Sequence, residues 1–250
     1  MNGLRTENGV WRKLAEVADR LGEVIYPPRC PVCDAVVAIR DRGICDTCMK
    51  NVKYVENPRC LKCGKTVSSK EVEFCEDCSK MPHIYKQGRA LYDYKTVTTA
   101  IYRFKYGGRR EYAKVFGEEM AFYLGDYIRS LKPDALVPVP MYHKKERQRG
   151  YNQSFLLAKA LGRELNIPVY DKILKRVKNT KPLKLLNPEE RLNNLKKAFI
   201  LVENGVKLNT IIIIDDIYTT GSTIDTISKV FVEQGVENIY FVTLAIGETI

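Results

Sequence analysis

Apolar residues recur at Val10, Leu14, Val17, Ala18, Leu21 and Ile25, the spacing of one helical face, and Pro27 and Pro28 end the stretch. An amphipathic helix over residues 1–26 is expected from it. From about Ile84 the pattern changes to short apolar runs alternating with helical periods. It predicts a strand over 89–94, helices over 97–106 and 113–131, and a strand over 135–139 closed by Pro138 and Pro140. A helix over 152–165 follows, with Asn152 as its N-cap. A strand over 211–214, a helix over 222–233 and a strand over 238–245 complete the series. Strands alternating with helices predict an α/β fold, a parallel sheet flanked by helices, over residues 84–250.

Composition narrows the class. With 45% apolar and 28% charged residues among 250, the chain is globular, with room for one ordinary domain and a small satellite. The longest aliphatic run is only Ile211 to Ile214, so no membrane-spanning helix is expected. The first residues lack the apolar core of a signal peptide, which points to the cytoplasm. Residues 84–150 hold 14 Lys and Arg against 7 Asp and Glu, and residues 151–210 hold 12 against 5. Residues 211–250 are acidic. A cation-rich middle suits a phosphate-bearing partner, whether metabolite or nucleic acid.

The eight cysteines form four C-x-x-C pairs, Cys30/Cys33, Cys45/Cys48, Cys60/Cys63 and Cys75/Cys78, each beginning 15 residues after the last. Each pair turns two thiolates toward one ion, and two pairs supply the tetrahedral sulfur set that zinc prefers. A disulfide framework suits a reducing compartment poorly. Eight sulfurs therefore imply two closed, structural four-cysteine zinc sites over residues 27–83. Consecutive pairing is the simpler topology, and a cross-braced one stays open. Gly64-Lys65-Thr66 resembles the end of an ATP-binding loop, but Arg59 stands where that loop needs glycine. His83 and His143, the only histidines, read as surface or packing residues.

The strongest chemistry lies in residues 211–223. Four isoleucines read as a strand buried on both faces, and Asp215 and Asp216 follow at its carboxyl end, where α/β sheets place ligands. Thr219, Thr220, Gly221, Ser222 and Thr223 then open a helix, whose N-terminal N–H groups bind phosphate. Paired carboxylates beside a phosphate turn fit a ligand that also presents a diol.

Residues 211–223 resemble the phosphoribosyl pyrophosphate (PRPP) motif of type I phosphoribosyltransferases. Tyr92-Asp93-Tyr94, Phe104-Lys105-Tyr106, Val137-Pro138-Val139-Pro140, Arg149-Gly150-Tyr151-Asn152-Gln153, and Arg191 and Asn194 before Ala198-Phe199 resemble the ComF family. That family joins an N-terminal zinc module to a phosphoribosyltransferase domain and is associated with DNA uptake during natural transformation. The resemblance implies PRPP as ligand, with Asp215 and Asp216 on the ribose hydroxyls and residues 219–223 on the 5′-phosphate. Pro140 and Met141 would form the pyrophosphate loop, with Arg149 and Lys105 as its cations and Mg²⁺ bound with PRPP. One departure is that Thr180 is followed by Lys181, Pro182 and Leu183, an apolar residue where the family often has Gln. The sequence identifies neither a catalytic residue nor an acceptor.

Ten of the 15 tyrosines fall between Tyr85 and Tyr151, among the cations. The densest part holds Tyr102, Arg103, Phe104, Lys105, Tyr106, Arg109 and Arg110. Interleaved rings and cations suit single-stranded nucleic acid, and core aromatics beside a solvated basic face explain them equally well. Three functions follow: a phosphoribosyltransferase of unknown acceptor; a competence protein binding single-stranded DNA; or a zinc-ribbon adaptor that docks partners, other competence proteins among them.

Overall fold

Ile211, Ile212, Ile213 and Ile214 are all completely buried. In the computed structural model, which describes residues 27–37, 43–177, 198–202 and 206–247, they form the first half of a nine-residue core strand. The chain divides into two compact units, residues 1–50 and 51–250. The first four cysteines belong to one unit and the last four to the other.

Within the second unit, β1 (Gln87–Asp93) leads into α1 (Tyr94–Tyr106) and α2 (Tyr112–Ser130). Strand β2 (Ala135–Pro138), α3 (His143–Arg149) and α4 (Gln153–Leu165) follow, then a small antiparallel pair, β3 (Leu174–Arg176) with β4 (Phe199–Leu201). Strand β5 (Thr210–Tyr218), α5 (Ser222–Val232) and β6 (Asn238–Ile246) end it. The main sheet runs β1-β6-β5-β2, and every neighbouring pair is parallel. The expected parallel sheet with flanking helices is what the chain forms. The N-terminal helix expected over 1–26 lies outside the described residues, as do the 180–183 segment, Arg191 and Asn194.

The elements end where their sequence says. Asp93 closes β1 and caps α1, its side chain accepting from Lys95 N. Asn152 caps α4 by accepting from Ser154 N, as expected. Strand β5 runs four residues beyond the isoleucines, so Asp215 and Asp216 lie within it rather than just past it. Alternation sends Ile211 and Ile213 to one face, where they pack with Ile227 and Phe231 of α5 and Phe241 of β6. Helix α4 packs on β2 and β5, and α2 packs on α4. Gly117 permits that approach, since a Cβ there would lie 2.4 Å from Ala160 Cβ.

Neither sheet edge is left bare. Along β1, Gly88 N donates to Lys62 O, Val55 N to Leu91 O, and Asp93 N to Lys53 O, at 2.8–2.9 Å. The segment carrying the second cysteine set thus covers this edge. Along β2, Leu136 N donates to Pro168 O and Tyr170 N donates to Leu136 O. Covered edges deny a second chain a template for pairing.

Candidate functional sites

The sulfurs form two groups, Cys30/Cys33/Cys45/Cys48 and Cys60/Cys63/Cys75/Cys78, and the Sγ atoms within each lie within 4.8 Å of one another. Consecutive pairing is therefore the topology. Cys33 and Cys45 Sγ are 3.8 Å apart, and Cys63 and Cys75 Sγ are 3.6 Å apart. A tetrahedron of sulfurs about 2.3 Å from zinc has edges of about 3.8 Å, so the thiol sets fit the ion.

The two knuckles repeat one design 30 residues apart. Cys30 N donates to Ala35 O and Val37 N to Pro28 O; in the second, Cys60 N donates to Lys65 O and Val67 N to Pro58 O. The turn residue is left-handed in both, Asp34 at φ 67° and Gly64 at φ 80°.

The carboxylates of β5 sit at the carboxyl end of the sheet. Lys105, from α1, places Nζ 2.8 Å from Asp216 Oδ1. Burial works against the lysine's charge, but Asp216 and then Asp215 more than offset it, and its pKa is held above the ordinary value. Asp215 accepts from Ser154 Oγ at 2.8 Å and from Asp216 N at 2.9 Å. Burial, then the Asp216 charge, push its carboxyl up to about 7. Asp215 is therefore able to donate as well as accept near neutrality. Arg176 is also close enough for Asp215 to support its charge against burial, which lowers its pKa.

Five residues downstream the chain turns into α5. Gly221 takes φ 77° directly before the helix. Ser222 N faces Thr220 Oγ1 at 3.5 Å, and Thr220 Oγ1 donates to Ser222 Oγ at 3.1 Å. Thr219 is exposed and Thr223 half-buried. The hydroxyls of this turn thus lie at the start of α5.

The turn after β2 lies beside this end of β5. Val139 N donates to Ile214 O, and Asn152 Nδ2 donates to Val139 O at 3.0 Å. Pro140 and Met141 follow, both half-buried. The named cations are already engaged. The Arg149 guanidinium lies over the Tyr106 ring at 4.7 Å, and Arg110 lies over Tyr151 at 5.0 Å while donating to Gly150 O. Arg109 pairs with Glu111 at 3.6 Å. Arg103 lies in the last turn of α1, half-buried. Tyr102 and Tyr106 are each 64% exposed, one helical turn apart, whereas Phe104 between them is buried. The aromatic block therefore divides into core and surface.

Sequence reading missed two members of the site. Ser154 follows the Arg149–Gln153 motif directly, but nothing local ties it to Asp215, 61 positions away. His83 binds Asp225 across 142 positions, Nδ1 donating to Oδ2 at 2.7 Å. A lone histidine carries no spacing that could announce such a partner.

The described architecture defines the class: a parallel α/β protein with two tetrathiol ribbons. A model of the double zinc ribbon domain matches residues 21–79. Competence protein F of Haemophilus influenzae is 44% identical over 109 residues, 43% of this chain and 48% of that protein. DNA utilization protein YhgH of Escherichia coli K12 is 36% identical over 103 residues, 41% and 45% of the two chains. Competence protein ComFC of Bacillus subtilis is 32% identical over 136 residues, 53% and 52%. The chain spans about half the length of the curated relatives it matches. Among solved structures, a purine phosphoribosyltransferase from Pyrococcus horikoshii aligns at 18% identity and a TM-score of 0.34, over 52% of this chain and 73% of that one. That likeness is too slight to bear on function. The ribbon match and the competence relatives together support a ComF-family protein with an N-terminal zinc ribbon. Among the described residues, no helix is long and apolar enough to cross a membrane.

Proposed function

We propose that the second unit binds PRPP and acts in DNA uptake, a reading supported by the ComF resemblance and by relatives named for competence and DNA utilization. The observation that carries this reading is the continuous series along β5 and α5: a buried strand, a carboxylate pair in its C-terminal half, and a hydroxyl-rich turn leading into a helix. Asp215 and Asp216 take the ribose 2′- and 3′-hydroxyls. Residues 219–223 take the 5′-phosphate through N–H and hydroxyl groups. The loop at Pro140 and Met141 faces the pyrophosphate, with Arg149 as its cation. Lys105 balances the carboxylates rather than the pyrophosphate, since it is paired with Asp216. Mg²⁺ arriving with PRPP would supply positive charge to offset that of the pyrophosphate. Whether transfer to an acceptor follows is a separate property, and pyrophosphate release with candidate acceptors measures it.

Calorimetric titration with PRPP and Mg²⁺ tests the reading. Replacing Asp215 and Asp216 together by Ala should weaken PRPP far more than inorganic phosphate, because only PRPP carries the diol. No PRPP binding by the wild type at millimolar ligand with Mg²⁺ would remove it.

A second reading, single-stranded DNA binding, is favoured by Tyr102 and Tyr106, two exposed rings with Arg149 against one of them. Rings in that position stack on bases. Affinity for single-stranded DNA should then fall steeply with salt, and Tyr102→Ala with Tyr106→Ala should weaken it across sequences. An unchanged affinity in the double variant would return these tyrosines to ordinary surface. If PRPP and single-stranded DNA both fail to bind, the zinc-ribbon adaptor is what remains.

A further inference from the structure

His83 links the segment after the second ribbon to the start of α5. His83 stands five residues after Cys78, and its side chain is only 1% exposed. Its Nδ1–H donates to Asp225 Oδ2, and Ile84 N donates to Asp225 Oδ1 at 2.9 Å. Asp225 lies in the first turn of α5. A carboxylate there would repel an anion bound at the same helix end. Here both of its oxygens are tied back by residues 83 and 84.

The ring of His83 fills the space behind Gly221. A Cβ on Gly221 would lie 3.0 Å from His83 Cε1 and 2.7 Å from Tyr218 Oη. The imidazole stacks on Tyr85 with centroids 4.9 Å apart and planes 20° from parallel. The Tyr85 and Tyr218 hydroxyls are 2.7 Å apart, and both rings share one buried cluster with Cys60, Cys63 and Cys75. His83 Nε2 is buried without a hydrogen-bond partner. A buried, unsatisfied ring nitrogen costs stability. The residue is thus held by its Nδ1 contact to Asp225 and by its ring, which stacks on Tyr85 and lies close to Gly221.

We propose that His83 is a positioning residue for the phosphate turn, and that through it the second ribbon's metal sets the anion affinity of residues 219–223 while the first ribbon's metal does not. The proposal rests on reading that turn as a phosphate site. Rigid, pre-aimed N–H groups bind phosphate better than mobile ones, and His83 with Asp225 supplies the rigidity.

Four variants of the full chain test it: His83→Phe, which keeps a stacking ring and loses the donor; His83→Asn, whose amide can donate from near the Nδ1 position; Cys63→Ser; and Cys33→Ser. Zinc content, amide hydrogen exchange over residues 219–226, and calorimetry with inorganic phosphate and with PRPP and Mg²⁺ are the readouts. His83→Phe should speed exchange in that segment and weaken phosphate about tenfold, a loss of helix-end alignment and charge balance. His83→Asn should recover most of both. Cys63→Ser should lose one zinc and behave like His83→Phe, whereas Cys33→Ser should lose one zinc and bind like the wild type. Should the phenylalanine variant fail to fold, Asp225→Ala cuts the same link from the helix side and carries the same expectation. Unchanged exchange and phosphate affinity in His83→Phe, or equal losses from the two cysteine variants, would overturn the proposal. If the wild type binds neither ligand, the phosphoribosyl reading fails, and exchange over 219–226 still decides whether His83 holds the turn.

Discussion

The two ribbons share a backbone plan and differ in what each is part of. Both place four sulfurs within reach of one ion, and both turn their first knuckle through a left-handed residue. The first has Asp34 at that turn and belongs to the unit of residues 1–50. The second has Gly64, and the reason is tertiary. A Cβ on Gly64 would lie 2.6 Å from Gly88 O, on the strand whose edge this ribbon covers. The same local motif is thus a separate module in one copy and part of a sheet's packing in the other. Metal-ligand spacing says that a zinc site exists, and the residues beside it decide what depends on that site.

The largest expected effect separates the two copies directly. Cys63→Ser should lower the denaturation midpoint of the unit of residues 51–250 more than any other variant here, since metal-binding energy is folding energy in such sites. Cys33→Ser should leave that unit's denaturation midpoint unchanged. Equal losses in chemical denaturation would erase the distinction.

Next comes the turn residue. Gly64→Ala should cost about 2–3 kcal/mol, from left-handed strain and the approach to Gly88 O. Asp34→Ala, at a position that already carries a side chain, should cost about 1 kcal/mol or less. Comparable costs in the two would mean that the second ribbon does not need its close seat on β1.

A third variant should move stability the other way. The folded protein holds the Asp215 proton more tightly than the unfolded chain does, because burial and Asp216 raise its pKa to about 7. Between the ordinary carboxylate range and about 7, stability should therefore fall as pH rises. Asp215→Asn should remove that slope and stabilise the second unit by about 2 kcal/mol at neutral pH, while weakening PRPP. Denaturation at a series of pH values checks it, and a wild-type profile rising across this window would be contrary.

The smallest effect concerns a pair that only the second ribbon has. Lys65 Nζ meets Asp77 Oδ2 at 2.7 Å, and Ala35 and Thr47 occupy the matching places in the first. Lys65→Ala should cost about 0.5–1 kcal/mol, because the pair is partly exposed to solvent, and should make zinc easier to withdraw with a chelator. A loss as large as that of Cys63→Ser would assign the lysine a far greater role.

Much of this protein is local and could be read from its sequence. Tetrathiol sites show in C-x-x-C spacing because a single turn brings two sulfurs together. Strand β5 shows in four consecutive isoleucines because a strand buried on both faces needs no polar alternation. The Asn152 cap and the hydroxyl turn before α5 are likewise short-range chemistry. Element order then implied the parallel sheet, since helices between strands favour right-handed parallel crossovers. The short β3–β4 pair escaped notice because three-residue strands carry no periodicity. What needed the tertiary structure were partners far apart in the chain. Lys105 reads as a free cation in a basic block and is an ion-pair partner of Asp216. His83 reads as a packing residue and ties the ribbon segment to α5. Ser154 reaches Asp215 only when α4 lies on β5. Gly64 is required by a strand that begins 23 residues later. Spacing along a chain encodes contacts within one turn or one strand, whereas burial and charge pairing between distant segments arise only when the sheet brings them together.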